Sequence, residues 1–279
     1  MLLIVPADPM RPRRADEHFA AEAAAAREAG VEVAVIDHDA LAGGGDPDQA
    51  VARVPASTDA VYRGWMLPAA GYGAMAAALG RREVSLRTGA DDYRTAHELP
   101  GWYAALESVT PETVWTAGDA REDFDRACER LGGGAAVLRD YTKSAKHHWH
   151  EAAYVPDLTD GEAAWRVASR LRELRGGDFA GGFVVRRFER LTGTEVRTWW
   201  VAGECRLTGA HPDTPGAVCV PDLTAVTPLV AALGLPFVTV DLALREDGEW
   251  RVVELGDGQV SDRPAEISAE TLVAALLAG

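Results

Sequence analysis

The chain has 279 residues, 47% of them hydrophobic, enough for one large domain or two to three small ones. Its 43 Asp and Glu outnumber its 28 Lys and Arg, giving a net charge of −15. That balance excludes a broad basic surface for duplex nucleic acid or for anionic membrane. In chain order, residues 2–5 (LLIV) read as a buried strand ending at Pro6, and an Ala/Glu-rich helix over 16–29 stops at Gly30. Residues 31–36 form the next strand, and the helix-length crossover implies that the two strands run parallel. A third strand at 60–63, a helix over 69–79 closed by Gly80, and a fourth strand at 83–86 complete a small doubly wound α/β unit over residues 1 to about 88. No GxGxxG follows the first strand, which weighs against a dinucleotide site, and Gly43-Gly44-Gly45 sits in a polar linker.

Residues 90–120 read as irregular, rich in Trp, Tyr and Pro. A helix over 121–131, a strand at 135–139, a helix over 161–175 and a strand at 182–188 form a small α+β unit. The remainder is antiparallel in pattern: strands at 195–201 and 204–208, a helix near 222–233, and strands at 237–244 and 250–255. Cys128, Cys205 and Cys219 are odd in number, far apart and outside any CxxC spacing, as suits a reducing cytosol. The first residues are too short an apolar run for a secretory leader, and no run reaches the roughly 18 residues of a membrane span. A cytoplasmic location is expected.

The last two strands carry the most informative geometry. Asp247-Gly248 is a two-residue hairpin signal that would set Glu246 against Glu249 and Asp241 directly opposite Glu254. Like charges placed opposite one another destabilise a sheet. On a solvated surface hairpin the pair would mean little, but Val238, Val240, Leu242, Val252 and Val253 flank it, which argues for burial. Two buried carboxylates make sense around a divalent cation, and oxygen donors suit Mg²⁺.

A second asymmetry lies within the cations. Of 28, only two are Lys, leaving 26 Arg, and the two are Lys143 and Lys146. A lysine ammonium is a compact charge on a flexible stem, suited to phosphate. The alternative is an ordinary solvated basic loop. His147, His148 and His150 follow; without a second ligand cluster they favour a polar loop over a metal site. Glu195 and Arg197, two apart on a strand, share a face. Arg63 ends a parallel strand, where ligands bind in α/β sheets, and could pair with a substrate carboxylate; Tyr93 and His97 could line the same cleft, or simply pack. Ser261 and Asp262, just past the last strand, are weaker candidates for contact with an acceptor.

Taken together, VYRGWML (61–67), DDYRTAHELPGWY (91–103), LRDYTKSAKHHW (138–149), VVRRFERLTGTEVRTWWVAGE (184–204) and VDLALREDGEWRVVELGDGQVSD (240–262) resemble the ATP-grasp superfamily. The likeness is to its bacterial and phage branch named for an arginine and two lysines. That resemblance implies an α/β pre-grasp domain with a connecting segment (1–120), a small lid (121–188) and a C-terminal, mostly antiparallel α+β subdomain (189–279), with MgATP held between two α+β subdomains. It implies that Arg139, Lys143 and Lys146 contact phosphates, and that Arg186, Arg187, Phe188 and Glu189 form a hinge whose backbone grips adenine. Glu195 would bind ribose, Arg197 the γ-phosphate, and Asp241 and Glu254 Mg²⁺. Many relatives carry Glu-x-Asn on the last strand; here Glu254-Leu255-Gly256 is followed by Asp257, which would have to substitute as a metal ligand.

The implied activity is ATP-dependent ligation of a small-molecule carboxylate to an amine, such as an amino acid or peptide, through an acylphosphate. The implied cofactors are ATP and Mg²⁺. No Ser-His-Asp or Cys-His nucleophile is needed, and none is evident. The alternatives are a small-molecule kinase on the same fold and a non-catalytic nucleotide-binding protein.

Overall fold

The apolar run that begins the chain is the centre of a sheet in the computed structural model, which describes residues 1–214, 216 and 219–279. The chain divides into two units: 1–96, 194–242 and 254–279 form the first, and 97–193 with 243–253 the second. The first unit opens with β1 (Leu2–Asp8), β2 (Arg11–Ala15), α1 (Ala20–Glu28), β3 (Glu32–Ile36), α2 (His38–Ala42), α3 (Pro47–Ala50), β4 (Ser57–Tyr62), α4 (Ala69–Arg81), β5 (Val84–Leu86) and α5 (Ala90–His97). β1 lies between β3 and β4 and runs parallel to both, with β5 parallel beyond β4. Alternate residues of β1 face two cores. Leu2 and Ile4 meet Tyr62, Tyr72 and Met75. Leu3 and Val5 meet Ala23 and Ala26 of α1.

β1 does not end at Pro6. The Pro6 carbonyl accepts from the Asp16 N–H at 2.9 Å, and beyond it the strand turns to pair antiparallel with β2. The predicted helix over 16–29 begins as a 3₁₀ turn at Glu17–Phe19, where the Asp16 carboxylate caps the His18 N–H at 2.9 Å, and continues as α1.

The second unit holds α6 (Leu99–Leu106), β6 (Thr113–Trp115), α7 (Arg121–Leu131), β7 (Ala136–Arg139), β8 (Tyr154–Val155), α8 (Gly161–Arg175) and β9 (Val184–Arg187). The stretch expected to be irregular therefore contains α5, α6 and β6. Tyr93, Ala96, Leu99, Trp102, Tyr103 and Leu106 are buried at helical spacings, and Pro100 sits in the first turn of α6, where its missing N–H costs nothing. The sheet order is β6-β9-β7-β8, antiparallel throughout. Val114, Ala136, Leu138 and Val185 pack with Phe124 and Leu131 of α7 and Ala168 and Leu171 of α8.

The remaining elements are β10 (Leu191–Val201), β11 (Glu204–Ala210), α9 (Thr227–Ala232), β12 (Phe237–Arg245), β13 (Trp250–Asp257) and α10 (Ala269–Leu277). Their sheet runs β11-β10-β12-β13. Trp199, Val201 and Phe237 of this sheet join α1 and α10 in the core that also takes Leu3 and Val5. The first unit therefore stands on two apolar cores that β1 faces with alternate residues. Leu272 of α10 is fully enclosed in the core of Leu3 and Val5. Leu272→Ala is expected to lower stability by about 2–5 kcal/mol in denaturant titration, through lost burial and the cavity left behind.

Candidate functional site

Arg197 on β10 and Asp241 on β12 meet across the sheet of the first unit. Arg197 Nε donates to Asp241 Oδ1 and Nη2 to Oδ2, both at 2.8 Å. Next to Arg197, the Thr198 hydroxyl donates to the Val240 carbonyl at 2.8 Å and fixes the strand register. Asp241 is buried, which alone would raise its pKa; the hydrogen bonds and charge of Arg197, with help from His211, hold it down at about 2. It is therefore an anion at any physiological pH. Glu254 and Asp262 add negative charge around Arg197 and, with Asp241, outweigh the burial that disfavours the guanidinium cation.

Glu195, two residues before Arg197, joins this group, as the shared face predicted. Glu195, His211 and Asp241 offer ligand atoms that all lie within 4.8 Å of one another. His211, just past the end of β11, had no signal in the sequence beyond being a lone histidine. Its Nδ1 lies 3.2 Å from the Asp213 N–H, and its Nε2 is directed at the ion pair, 2.9 Å from Arg197 Nη2 and 3.3 Å from Asp241 Oδ2. His211 thus supports the carboxylate, and oxygen atoms form the donor set. Asp241 Oδ1 keeps a second lone pair beside its bond to Arg197. A hard cation that takes one or two carboxylates and completes its shell with phosphate oxygens and water fits this set. Among the described residues, His147, His148 and His150 join no such cluster.

The hairpin turn differs from expectation. Arg245, not Glu246, faces Glu249: the Arg245 N–H donates to the Glu249 carbonyl at 2.8 Å, and the Arg245 carbonyl accepts from Gly248 at 2.9 Å. Gly248 has φ 92°, a backbone that suits glycine. Deeper in the strands, two glycines of the last segment lie close against β12. A side chain on Gly256 would meet Thr239 Oγ1 at 3.2 Å, and one on Gly258 would meet the Phe237 ring at 2.8 Å. The charge of Glu254 acts on Arg197, the partner of Asp241. Asp257 is on the opposite face from Glu254. Its Oδ1 accepts from the Gln259 N–H at 2.8 Å and Nε2 at 3.1 Å, and its carboxyl is enclosed in the core, so it does not join the cation cluster. Burial, against the Gln259 hydrogen bonds and the Arg63 charge, pushes its pKa up to about 7. At Gly256 the Thr239 and Ser261 hydroxyls lie 2.7 Å apart and close the space.

Arg63 is not open to a substrate carboxylate. It is 2% exposed, and all three guanidinium nitrogens are engaged. Nε and Nη2 form a fork on Glu22 of α1 at 2.8 and 2.9 Å, while Nη1 reaches the carbonyls of Gly258, Gln259 and Ser261 at 2.7, 2.9 and 3.0 Å. The Trp199 ring lies 5.3 Å from the guanidinium carbon. Tyr93 is likewise structural: its hydroxyl donates to the Leu67 carbonyl at 2.8 Å and its ring stacks on Tyr72 at 3.9 Å.

In the second unit, Lys143 and Lys146 are exposed on the loop after β7. Asp140 holds this loop. Fully buried, its Oδ1 accepts from the Thr142 N–H and hydroxyl and from the Lys143 N–H, at 2.7, 3.0 and 2.7 Å. Its Oδ2 accepts from Arg175 Nε at 2.7 Å. An aspartate two residues before a threonine is an Asx-turn signal that the sequence did offer. Arg139 is buried and donates to the Thr142 carbonyl at 2.7 Å, bracing the same turn.

The predicted hinge residues serve this unit's own packing. Arg186 donates to the carbonyls of Val252 and Val253 at 3.0 and 2.5 Å, and Arg187 to that of Gly133 at 2.7 Å. The Glu189 carboxylate takes a fork from Arg251 at 2.9 and 3.0 Å. The N–H groups of Arg187 and Phe188 are spent on the Glu112 and Ala135 carbonyls, so neither is open to a base. The Phe188 ring meets Tyr154 edge-on at 5.1 Å, and Tyr154 stacks with Trp149 at 5.5 Å.

Residues 130–276, more than half of the chain, match a family described as an ATP-grasp domain, the third family of its clade. A comparison with curated proteins finds no match. Among solved structures, the chain is similar to a RimK domain protein ATP-grasp from Sphaerobacter thermophilus DSM 20745 (17% identity, TM-score 0.61, 99% of this chain and 100% of that one). It is similar to the D-cycloserine synthetase DcsG (17%, 0.62, 99% and 98%) and to the ATP-grasp ligase PsnB complexed with minimal precursor, Mg and ADP (15%, 0.59, 99% and 97%). At these identities the likeness is one of fold.

Two outcomes are expected. Arg63→Met leaves Glu22 buried without its partner and should cost about 3–5 kcal/mol of stability, measured by denaturant unfolding. Asp257 has a folded pKa of about 7, above its ordinary 3.8, so its contribution is fully present below about pH 4 and is lost as pH rises through about 7. Asp257→Asn should therefore gain melting temperature relative to the parent chain between about pH 6 and pH 8.

Proposed function

This chain belongs to the ATP-grasp domain family that its residues 130–276 match, and we propose that it is an ATP-dependent carboxylate–amine ligase. The observation that carries this reading is the ionised Asp241 in its fork with Arg197, with Glu195 and Glu254 beside it. A substrate carboxylate attacks the γ-phosphorus of ATP, ADP leaves, and an acylphosphate forms. An amine then attacks the acyl carbon and phosphate leaves. The protein's part is mostly positioning and charge neutralisation.

Asp241 and Glu254 would hold Mg²⁺, which when bound neutralises phosphate charge and orients the transferring group. Arg197 is preorganised by Asp241 and presents its remaining positive charge to a γ-phosphate. Lys143 and Lys146, on a loop whose backbone is pinned by Asp140, supply movable charge for phosphate oxygens. Adenine recognition passes from the N–H groups of Arg187 and Phe188, which are spent, to the aromatic surface of Trp149, Tyr154 and Phe188. The substrates are small molecules or peptides bearing a carboxylate and an amine. Cys128, Cys205 and Cys219 as free thiols support a reducing compartment, the cytosol, and among the described residues no helix is long and apolar enough to cross a membrane.

The test is phosphate release from MgATP across a panel of amino acids and dipeptides. Amine-dependent release, with an amide product, is expected. A stable phosphorylated product would replace this reading with a kinase, and absence of nucleotide binding in calorimetry would end both. Asp241→Asn should lower kcat by about 100-fold or more, because Arg197 loses its ionised partner and the cation loses a ligand.

A further inference from the structure

His18 has no part in the cation cluster, yet it forms a built arrangement in the first unit. Its Nε2 is 3.0 Å from Asp262 Oδ1. An acceptor carboxylate there keeps the proton on Nε2 and leaves the lone pair on Nδ1. Nδ1 has no hydrogen-bond partner among the described residues, and the side chain is 46% exposed. The imidazole is held edge-on to Phe19 at 4.8 Å and tilted against Trp65 at 4.4 Å. Trp65 is itself 38% exposed, unusual for so large an apolar ring. The Asp16 cap fixes the backbone of His18.

The surroundings place this pair at the edge of the cation cluster. The Asp262 carbonyl accepts from Arg197 Nη1 at 3.2 Å, and its charge acts on the same guanidinium that grips Asp241. The two halves of the pair come from segments far apart in sequence, and Arg63 binds both. Its fork holds Glu22, one turn beyond His18, and its Nη1 holds the carbonyls of Gly258, Gln259 and Ser261, which run up to Asp262. A buried guanidinium spent entirely on aligning two segments that expose an imidazole and a carboxylate is a costly arrangement for a surface ion pair.

We propose that His18 is the general base for the acceptor amine, with Asp262 setting its tautomer and Trp65 offering an aromatic face to the arriving ammonium. The inference rests on the ligase reading and extends it. An amino group arrives protonated at neutral pH and cannot attack an acyl carbon. His18 Nδ1 takes one N–H proton, the freed nitrogen lone pair forms the C–N bond, and the second surplus proton on that nitrogen passes to the departing phosphate oxygen. The bond from acyl carbon to phosphate oxygen then breaks, and its electron pair leaves with phosphate. The imidazolium, half exposed, returns its proton to solvent. The Trp65 face stabilises the ammonium before it is deprotonated.

The experiment separates the two steps of the reaction. Amino acids and dipeptides are offered with MgATP, once as donor and acceptor together and once with hydroxylamine as acceptor. Hydroxylamine is a free base near neutrality and reports acylphosphate formation as a hydroxamate. His18→Gln should lose amide formation by about 100-fold while hydroxamate formation stays within about twofold. Asp262→Asn should show the same selective loss. Equal loss of both products, or loss of neither, overturns the proposal, and a melting temperature matching the parent excludes misfolding as the cause. If the unaltered chain makes neither product with any donor, the ligase reading falls and this inference with it. If it makes amide and His18→Gln makes as much, only the base assignment falls.

Discussion

The buried guanidinium of Arg63 is the constraint around which the first unit is organised. It follows β4 and is shut away from water, where an arginine is stable only if its donors are answered. One side is answered by a carboxylate from α1 and the other by the carbonyls of the turn after β13. Burial pushes the Glu22 carboxyl up, and the Arg63 charge and fork outweigh that and hold it lowered. Each member is costly alone and satisfied only by the other, so the parallel sheet, the first helix and the end of the last strand are specified together. The substrate-binding role expected of Arg63 gives way to this one for a simple geometric reason: every nitrogen is already bonded within the core.

Asp241 and Asp257 show how far environment separates identical side chains. Both are enclosed, and burial raises both. Asp241 meets a guanidinium fork and falls to about 2; Asp257 meets amide donors and rises to about 7. They occupy opposite faces of one strand pair, so the ionised acid lies with the cation cluster and the acid that favours its proton lies in the core beside Gln259.

Much of this was legible in the sequence. The order of the parallel strands and of α1 and α4 through residue 88 follows from apolar runs, glycine stops and crossover length, whereas the short β2, α2 and α3 carry no such signal. The turn signal at Asp247-Gly248 marks the hairpin but not its register: Arg245 rather than Glu246 faces Glu249, while Glu254 acts by its charge on Arg197, the partner of Asp241. The helices around Leu99 were hidden because aromatic side chains and proline look like loop composition unless their spacing is weighed. Asp257 was misplaced for a related reason: being near Glu254 in sequence says nothing about face. Arg63, Glu22 and His18 were beyond reach, since their meaning lies in contacts between segments about 40 and 200 residues apart.

The lysine loop has one more consequence. Evolution has left this chain almost without primary amines on its side chains, since guanidinium groups serve nearly every other cationic position. The two that exist project from a single turn whose backbone is clamped by Asp140. Reagents selective for amines over guanidinium groups therefore find their side-chain targets on that turn alone. A fluorophore or crosslinker of modest selectivity becomes a reporter of one named segment without any engineered cysteine. The chain's arginine bias thus makes its lysine loop chemically addressable in the unaltered protein.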